Sequence, residues 1–215
     1  MKIVLLGDSI TDMSRNRELP EEFPTTKGMG YPFIVTSKLY EQYATKYQVI
    51  NRGISGDRIV DVYARIKKDC WNLQPDFISV LIGVNDVWHE LENKNGVELD
   101  RFENVYSMLI EDTLKSLPNV KIMLLEPFVL EGSATTEKFD RFLIVKEYAK
   151  VVKKLADKYG FTFVPLQDRF DDECKKVGAS NLLYDGVHPT VQGATVIANE
   201  WLKGFEKLKK DEKVC

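Results

Sequence analysis

Cysteine and histidine are scarce in this sequence. Its 215 residues include three cysteines and two histidines. The cysteines, Cys70, Cys174 and Cys215, are odd in number and far apart, and no CxxC pair or Cys/His cluster joins them. Structural zinc sites and disulfide frameworks need such clusters, so neither is expected. Unpaired cysteines are typical of a reducing compartment, which predicts a cytoplasmic protein.

A strong net charge and a long apolar run are also missing. Thirty basic residues against 33 acidic residues leave a formal charge of −3. This balance provides no field that would hold a polyanion, so neither nucleic acid nor a membrane surface is an expected partner. The N-terminal apolar run ends at Gly7, too early for the core of a signal peptide. No segment approaches the roughly 18 apolar residues of a membrane span.

The composition is that of an ordinary globular chain, with 44% hydrophobic and 29% charged residues. A chain of 215 residues is short enough to form around one core. No internal repeat, low-complexity tract or Pro/Gly/Ser-rich linker divides it. We therefore predict one domain that spans residues 1–215.

Strand-like and helix-like patterns alternate along the chain. Short apolar runs rich in β-branched or aromatic residues predict buried strands at 3–6, 47–50, 77–82, 122–125 and 161–164. Apolar residues spaced by three and four predict helices at 32–45, 57–73, 101–117, 142–156 and 194–208. Gly160 suits a helix C-terminal cap, and Pro189 suits the first turn of the last helix.

This alternation predicts the class of the fold. Strands separated by helices form parallel sheets with right-handed crossovers, which place helices on both faces. We expect an α/β fold, a three-layer α/β/α sandwich around a flavodoxin-like five-stranded parallel sheet of order 2-1-3-4-5. Ligands bind such sheets at the carboxyl ends of the strands, where the strand order reverses. The loops after the first three strands are therefore expected to meet.

Those three loops carry polar residues and glycines. Ser9 follows the first strand in GDSIT, Gly53 lies in NRGISGD, and Asn85 follows the third strand in GVNDVW. The predicted strand order places Gly53 on one side of Ser9 and Asn85 on the other. A serine hydroxyl is a weak nucleophile unless a base removes its proton and N–H donors bind the oxyanion, so this arrangement favours acyl transfer. Asp8 is expected to bond loop backbone and hold the turn in place.

The base has two candidates, His188 and His89. His188 lies in DGVHPT, three residues after Asp185, which is close enough for the carboxylate to orient the imidazole. Pro189 and the helix after it predict that His188 lies on the same side of the sheet as Ser9. His89 has no acid at a comparable distance outside its own loop, and we interpret it as a surface or loop residue.

Four motifs in sequence order resemble those of a known family. GDSIT, NRGISGD, GVND and DGVHP, spread over residues 7–189, resemble the four blocks of the SGNH hydrolases, also called the GDSL esterase/lipase family. The family's leucine after the serine is Ile10 here, a conservative replacement. The resemblance implies a flavodoxin-like fold and an esterase that needs neither a metal ion nor a cofactor.

The resemblance also implies roles for single residues. It makes Ser9 the nucleophile, with Asp185 and His188 as the other members of a catalytic triad. The implied oxyanion donors are the Gly53 N–H, the Asn85 side chain and the backbone N–H of Ser9. Within the family, the GVNDVWHE loop and the Asp-x-x-His ending resemble those of bacterial carbohydrate acetylesterases, including acetylxylan esterases.

The predicted function is therefore that of a serine esterase that hydrolyses short-chain carboxylic esters and deacetylates carbohydrates. Its substrate would be a small-molecule or oligosaccharide ester, and a homo-oligomer would be consistent with the resemblance. Four residues are candidates for lining an acyl or sugar pocket: Trp88, Tyr184, Tyr31 and Arg58. Aromatic rings at loop rims often only pack there, and for Trp88 and Tyr184 that alternative stays open.

Other functions share some of these features. The family also contains lipases, lysophospholipases and thioesterases, and the motifs are common to all of them. A metal-dependent phosphoesterase also has acidic residues at strand ends, but its sites need more than two histidines. A nucleotide or flavin binder would need a glycine-rich phosphate loop after the first strand, and residues 7–14 contain none. A binding module without activity would not need a nucleophile, a base, an acid and oxyanion donors together.

Overall fold

A parallel β-sheet forms the centre of the molecule. The computed structural model describes residues 1–211, so Cys215 lies outside the described residues. Within that range the strands are β1 (Lys2–Gly7), β2 (Gln48–Gly53), β3 (Phe77–Leu81), β4 (Lys121–Leu125) and β5 (Thr162–Val164). Neighbouring strands are all parallel and lie in the order β2-β1-β3-β4-β5. The predicted fold class and strand order are confirmed.

Helices flank this sheet. They are α1 (Ser9–Asp12), α2 (Tyr31–Tyr43), α3 (Ile59–Asp69), α4 (Val84–Asn93), α5 (Leu99–Ser116), α6 (Phe139–Phe142), α7 (Val145–Tyr159), α8 (Gln167–Val177) and α9 (Val191–Asp211). In one group α5 packs against α3 and α7, and in another α2 packs against α9. None of the helices between residues 1 and 211 is both long enough and apolar enough to cross a membrane.

The strands are buried because helices cover the sheet. Ile3, Val4, Leu5 and Leu6 of β1 have no exposed surface. A strand that is covered on both faces alternates between two apolar environments, so it reads as one continuous apolar run. This is the physical reason why the run at 3–6 predicts a buried strand without any polar alternation.

Trp201 of α9 fixes one helix to the sheet. Its ring is fully buried, lies edge-on to Phe77 of β3 at 5.7 Å between centroids, and stacks on Phe205 at 5.1 Å. Its indole Nε1 donates to Ser79 Oγ at 2.9 Å, so the buried polar atom is satisfied. Trp201 is thus a core residue, whereas Trp71 packs against the core and stays partly exposed.

The strand register brings three loops to one edge of the sheet. Gly7, at the carboxyl end of β1, pairs with Gly53 of β2 and with Leu81 of β3. Because the three strands end at the same level and run in the same direction, the residues that follow them begin side by side. The expected meeting of these loops is confirmed.

Besides the one-turn helices α1 and α6, two longer helices, α4 and α8, were not predicted by the periodicity. The first turn of α4 contains two polar residues, Asn85 and Asp86, and both are buried. α8 buries only Gln167 and Phe170, so its sequence contains almost no apolar stripe. In both helices the apolar repeat that would reveal the helix is interrupted by polar side chains.

The start of α9 differs from the expectation. The helix begins at Val191, so Pro189 does not lie in its first turn. Pro189 instead pairs with Leu183 in an isolated antiparallel bridge. Thr190, the residue before the helix, accepts a hydrogen bond from the Gly193 N–H through Oγ1 at 3.2 Å and thus caps the first turn.

Candidate active site

Ser9 lies at the first position of α1, directly after β1. The Asp8 side chain caps this short helix, with Oδ1 accepting from the Ile10 N–H at 2.9 Å. Gly7 has no room for a side chain, because a Cβ there would lie 2.2 Å from Thr11 Oγ1. The turn is therefore tight, and it presents the Ser9 hydroxyl beyond the end of the strand. The expected holding role of Asp8 is confirmed.

His188 and Asp185, which lie near the C-terminal end of the sequence, are next to Ser9 in the fold. His188 Nε2 lies 2.8 Å from Ser9 Oγ, and His188 Nδ1 lies 2.6 Å from Asp185 Oδ2. Asp185 Oδ1 accepts from the backbone N–H groups of Val187 at 2.9 Å and His188 at 2.7 Å. The carboxylate is thus fixed by its own loop and holds the imidazole toward the serine. The structure brings together the three residues that the motifs single out.

The two acid–base groups shift each other's pKa. The hydrogen bond with Asp185 raises the pKa of His188, although partial burial opposes the shift. Partial burial acts to raise the pKa of Asp185, but hydrogen bonds from His188 and the loop backbone outweigh it and hold that pKa below its usual range. A carboxylate that stays charged next to an imidazole stabilises the imidazolium form.

Gly53 does not have the predicted role. Its N–H donates to Asn51 Oδ1 at 2.8 Å inside the protein, so this donor is already used. A Cβ at Gly53 would lie 2.3 Å from the backbone nitrogen of Asp12. Gly53 is therefore the residue that lets β2 and α1 approach closely, and the expectation that its N–H binds an oxyanion is wrong.

Gly56, in the same NRGISGD motif, has the properties that Gly53 lacks. Its N–H donates to no group among residues 1–211, and a Cβ there would meet nothing within 4 Å. Its φ of +87° is in the region that favours glycine. The backbone N–H of Ser9 likewise has no acceptor in the described part of the chain. The feature of the sequence that could have indicated this role is that NRGISGD contains a second glycine, Gly56.

Asn85 joins the third loop to the second. It lies in the first turn of α4 and is buried, and its Nδ2 donates to the Asp57 backbone oxygen at 3.0 Å. Asp57 follows Gly56 directly, so this hydrogen bond holds the amide beside the Gly56 loop. An amide has two N–H bonds, and the one to Asp57 fixes the direction of the other.

Two aromatic rings lie beside the imidazole. The Tyr184 ring stacks on the His188 imidazole, with 5.6 Å between the ring centroids and 14° between the ring planes. Tyr184 has 57% of its surface exposed. The centroid of the Trp88 ring lies 5.8 Å from that of the His188 imidazole, and Trp88 packs edge-on against Phe142. The structure thus places both predicted aromatic residues at the site.

The other two predicted lining residues have different contacts. Tyr31 has no exposed surface, and its hydroxyl shares a hydrogen bond with Thr11 Oγ1 at 3.1 Å, so the expectation that it lines a pocket is wrong. Each nitrogen of the Arg58 guanidinium donates to Asp61 or Asn95. Arg58 therefore anchors the start of α3 instead of offering a free group to a substrate.

Two buried carboxyl groups lie behind the serine. Asp8 and Asp86 are almost completely buried, and burial raises the pKa of Asp8 to about 7 and that of Asp86 to about 8. Asp86 accepts from the Ile59 N–H, while Asp8 Oδ2 has no partner within residues 1–211. In the same range no three His, Cys, Asp or Glu side chains lie close enough together to hold a metal ion.

Asn51 is a residue of the site region to which the sequence pattern assigned no role. It is fully buried, and its Nδ2 donates to the backbone oxygens of Thr11 at 2.7 Å and Lys27 at 2.9 Å. With its bond to Gly53, its side chain joins β2, α1 and the loop before α2. Its position after an apolar run, as the first residue of NRGISGD, was the available signal.

Comparisons with known proteins agree with this geometry. The model of the GDSL-like lipase/acylhydrolase family matches residues 5–196. An acetylxylan esterase from Geobacillus stearothermophilus is 34% identical over 97% of this chain and 96% of its own. Among solved structures, a GDSL-like lipase from Parabacteroides merdae has a TM-score of 0.90 at 36% identity, with 94% of each chain covered.

Structures of the Geobacillus acetylxylan esterase are also similar. One of them has a TM-score of 0.84 at 32% identity and covers 94% of this chain and 93% of its own. Two further structures of that enzyme are described as catalytic mutants, in which an aspartate or a serine is replaced by alanine.

Proposed function

Because this chain belongs to the GDSL-like lipase/acylhydrolase family and is a carboxylic ester hydrolase, we propose that it removes acetyl and other short acyl groups from sugar hydroxyls through an acyl-serine intermediate. The observation that carries this proposal is the hydrogen-bonded line from Asp185 through His188 to Ser9, at 2.6 and 2.8 Å. A hydroxyl, a base and an orienting carboxylate in contact are what nucleophilic acyl transfer needs.

In the first half of the reaction Ser9 is the nucleophile. His188 Nε2 takes the hydroxyl proton as Oγ attacks the ester carbonyl carbon, and the carbonyl oxygen becomes an oxyanion. Asp185 keeps the proton of the imidazole on Nδ1 and stabilises the imidazolium that forms. General base catalysis of this kind contributes about 10²- to 10⁴-fold in rate.

Three N–H groups around Ser9 are the donors for the oxyanion in this proposal. They are the backbone N–H of Ser9, the backbone N–H of Gly56 and the second N–H of the Asn85 amide. The first two have no acceptor among residues 1–211, and the Asp57 carbonyl holds the third in place. Loss of one such donor costs about 10²- to 10³-fold in rate.

The tetrahedral intermediate then breaks down toward the acyl-enzyme. His188 gives its proton to the sugar oxygen, the bond from that oxygen to the acyl carbon breaks, and the acetyl group remains on Ser9. In the second half a water molecule loses a proton to His188 and attacks the acyl carbon. Release of acetate returns the proton to Ser9.

Two observations support a sugar ester as the substrate. The relative that is 34% identical over nearly the whole chain is an acetylxylan esterase. The exposed ring of Tyr184 lies directly against the base, where the alcohol part of the ester has to leave. An aromatic face offers a sugar ring a flat apolar contact.

A groove favours a second candidate, an esterase for longer acyl chains. The groove has a volume of about 550 Å³, and its lining includes the apolar side chains of Met29, Phe33, Ile34 and Val191. Val191 follows His188 by three residues, so the groove begins near the loop that carries the base. A fatty acyl chain bound there would gain about 0.8 kcal/mol for each buried CH₂ group.

Replacement of Ser9 by alanine tests the nucleophile. Ser9→Ala removes one oxygen at the protein surface, so the fold is expected to survive while turnover of p-nitrophenyl acetate falls at least about 10³-fold. Ser37→Ala, an exposed serine of α2, is the matched control and is expected to retain full activity. A fluorophosphonate probe is expected to add its mass to the wild type and not to Ser9→Ala. Activity of Ser9→Ala near the wild-type level would overturn the proposal.

A chain-length series separates the two candidate substrates. The value of kcat/KM is measured for p-nitrophenyl esters from acetate to octanoate, beside acetate release from acetylated xylo-oligosaccharides. Sugar deacetylation predicts the highest value at acetate. A value that rises steadily with chain length, without release from the oligosaccharides, would establish the long-chain esterase instead.

A further inference from the structure

A cluster of cations surrounds two carboxylates next to the candidate active site. Arg15 and Arg17 lie within ion-pair distance of Asp12. Lys27 and Arg52 lie within ion-pair distance of Glu21. Four positive groups face these two negative groups, and the charge of Glu22 also acts on Lys27, so a small excess of positive charge remains. The chain as a whole carries a net charge of −3, so this excess is a local feature.

Asp12 connects the cluster to the oxyanion loop. It ends α1, the helix that begins with Ser9. Its Oδ2 accepts from Arg17 Nη2 at 2.6 Å and from Ser55 through the backbone N–H at 3.1 Å and Oγ at 2.9 Å. The Arg17 guanidinium therefore lies within about 6 Å of the Ser55 amide, and Gly56 is the next residue.

Arg15 is held rigidly at the same place. Its Nε donates to the Gly53 carbonyl oxygen at 2.8 Å, and its side chain is only 7% exposed. The two terminal nitrogens of this guanidinium donate to no group in residues 1–211, and neither is sealed from solvent. Arg17 uses one nitrogen on Asp12, and half of its side chain is exposed. Each arginine thus keeps N–H groups for a ligand.

The remaining cations are paired with Glu21. Arg52 Nη1 lies 2.6 Å and Lys27 Nζ lies 3.5 Å from its two oxygens. Burial lowers the pKa of Arg15, and the nearby charges of Arg52 and Arg17 lower it further, while Asp12 acts against the shift. An added anion would reduce this repulsion between the guanidinium groups.

We propose that Arg15 and Arg17 bind a carboxylate of the substrate, so that the preferred ester is an acetylated oligosaccharide that carries an acidic sugar. Planar guanidinium groups match the two oxygens of a carboxylate, and the partly buried position strengthens the contact. Arg17 binds Asp12 at the C-terminal end of α1, whereas Ser9 is the first residue of that helix. The carboxylate therefore belongs to a sugar neighbouring the acetylated one. This inference rests on the proposed function, because it needs the ester carbonyl to be placed at Ser9.

The experiment compares two substrates that differ in one sugar. They are an acetylated xylotriose and the same acetylated xylotriose with a glucuronic acid branch, and kcat/KM is measured for each at low and high salt. Charge-assisted hydrogen bonds that are partly exposed predict a preference of about 5- to 10-fold for the acidic substrate. The preference should come mainly from KM and shrink as salt is added.

Variants of Arg17 identify the cause of the preference. Arg17→Gln keeps a polar side chain without charge and is expected to lower the ratio of the two kcat/KM values toward one, because only Arg15 then binds the carboxylate. Arg17→Lys, which keeps the charge and loses the planar fork, is expected to give an intermediate ratio. Arg101→Gln, at an exposed arginine of α5 that pairs with Glu98, is the matched control and should keep the wild-type ratio.

The outcomes separate this inference from the proposed function. A wild-type ratio near one, or a ratio that Arg17→Gln leaves unchanged, would overturn the carboxylate site while turnover of the neutral substrate still supports deacetylation. If the wild type releases acetate from neither substrate, the proposed function fails, and the carboxylate site fails with it. Because the readout is a ratio, a general loss of folded protein in a variant does not imitate the expected result.

Discussion

Replacement of Asp8 by asparagine should change how the stability of the protein depends on pH. Asp8 is 1% exposed, its Oδ2 has no partner among residues 1–211, and burial raises its pKa from 3.8 to about 7. Asparagine retains the oxygen that accepts from the Ile10 N–H at the start of α1. Asp8→Asn therefore removes the ionisable group with little change in the contacts of the turn.

The sign and size of the effect follow from the raised pKa. Between about pH 4 and pH 7 the folded protein keeps a proton on Asp8 that the unfolded chain has already lost, so rising pH favours unfolding. The shift from 3.8 to about 7 is close to three pKa units, and one unit corresponds to about 1.4 kcal/mol. The wild type is expected to lose about 4 kcal/mol of unfolding free energy from this group between pH 4 and pH 8.

Urea unfolding at several pH values between 4 and 8 measures this difference. The free energy of unfolding of Asp8→Asn minus that of the wild type should increase by about 4 kcal/mol across the range and level off above pH 7. The control is Asp172→Asn on α8, because Asp172 is exposed and its hydrogen bond with Lys175 lowers its pKa instead of raising it. A difference for Asp8→Asn that does not change with pH would refute the reasoning.

Two further predictions concern the glycines and the base. Gly53→Ala would place Cβ 2.3 Å from the Asp12 nitrogen and is expected to cost at least about 3 kcal/mol in urea unfolding, whereas Gly56→Ala meets open space and should cost about 1–2 kcal/mol for its positive φ. Equal costs would contradict the close-approach role of Gly53. The value of kcat/KM should fall with decreasing pH through a pKa above 6.5, because Asp185 raises the pKa of His188. Asp185→Asn should lower the rate and move this fall to lower pH, and an unmoved fall would argue against the pairing.

Local sequence was sufficient to predict a structural feature where that feature depends on a single segment of the chain. The run at 3–6 predicts a buried strand because a strand covered on both faces needs apolar residues at every position. Asp185 and His188 are three residues apart, so their contact depends on one short loop. The order of strands and helices left few topologies, and the loops after β1, β2 and β3 could be expected to meet.

Burial of single side chains needed the tertiary structure. Tyr31 has an aromatic ring and a hydroxyl that suit a sugar pocket equally well, yet packing leaves it no exposed surface. How many N–H groups of Arg15 and Arg17 are used in hydrogen bonds within the protein likewise depends on the positions of Asp12 and of the Gly53 carbonyl. These contacts join residues that different elements carry, so composition and spacing do not show them.

The oxyanion donors show most clearly what the sequence determines and what only the tertiary structure decides. The sequence alone predicted that the NRGISGD segment lies at the carboxyl end of the second strand, beside Ser9. Which of its glycines keeps a free N–H was decided by the Asn51 side chain, which accepts from Gly53, and by the turn that leaves Gly56 without an acceptor. The physical reason is that a backbone N–H is available for catalysis only when no other acceptor of the folded chain reaches it, and that depends on how distant segments pack.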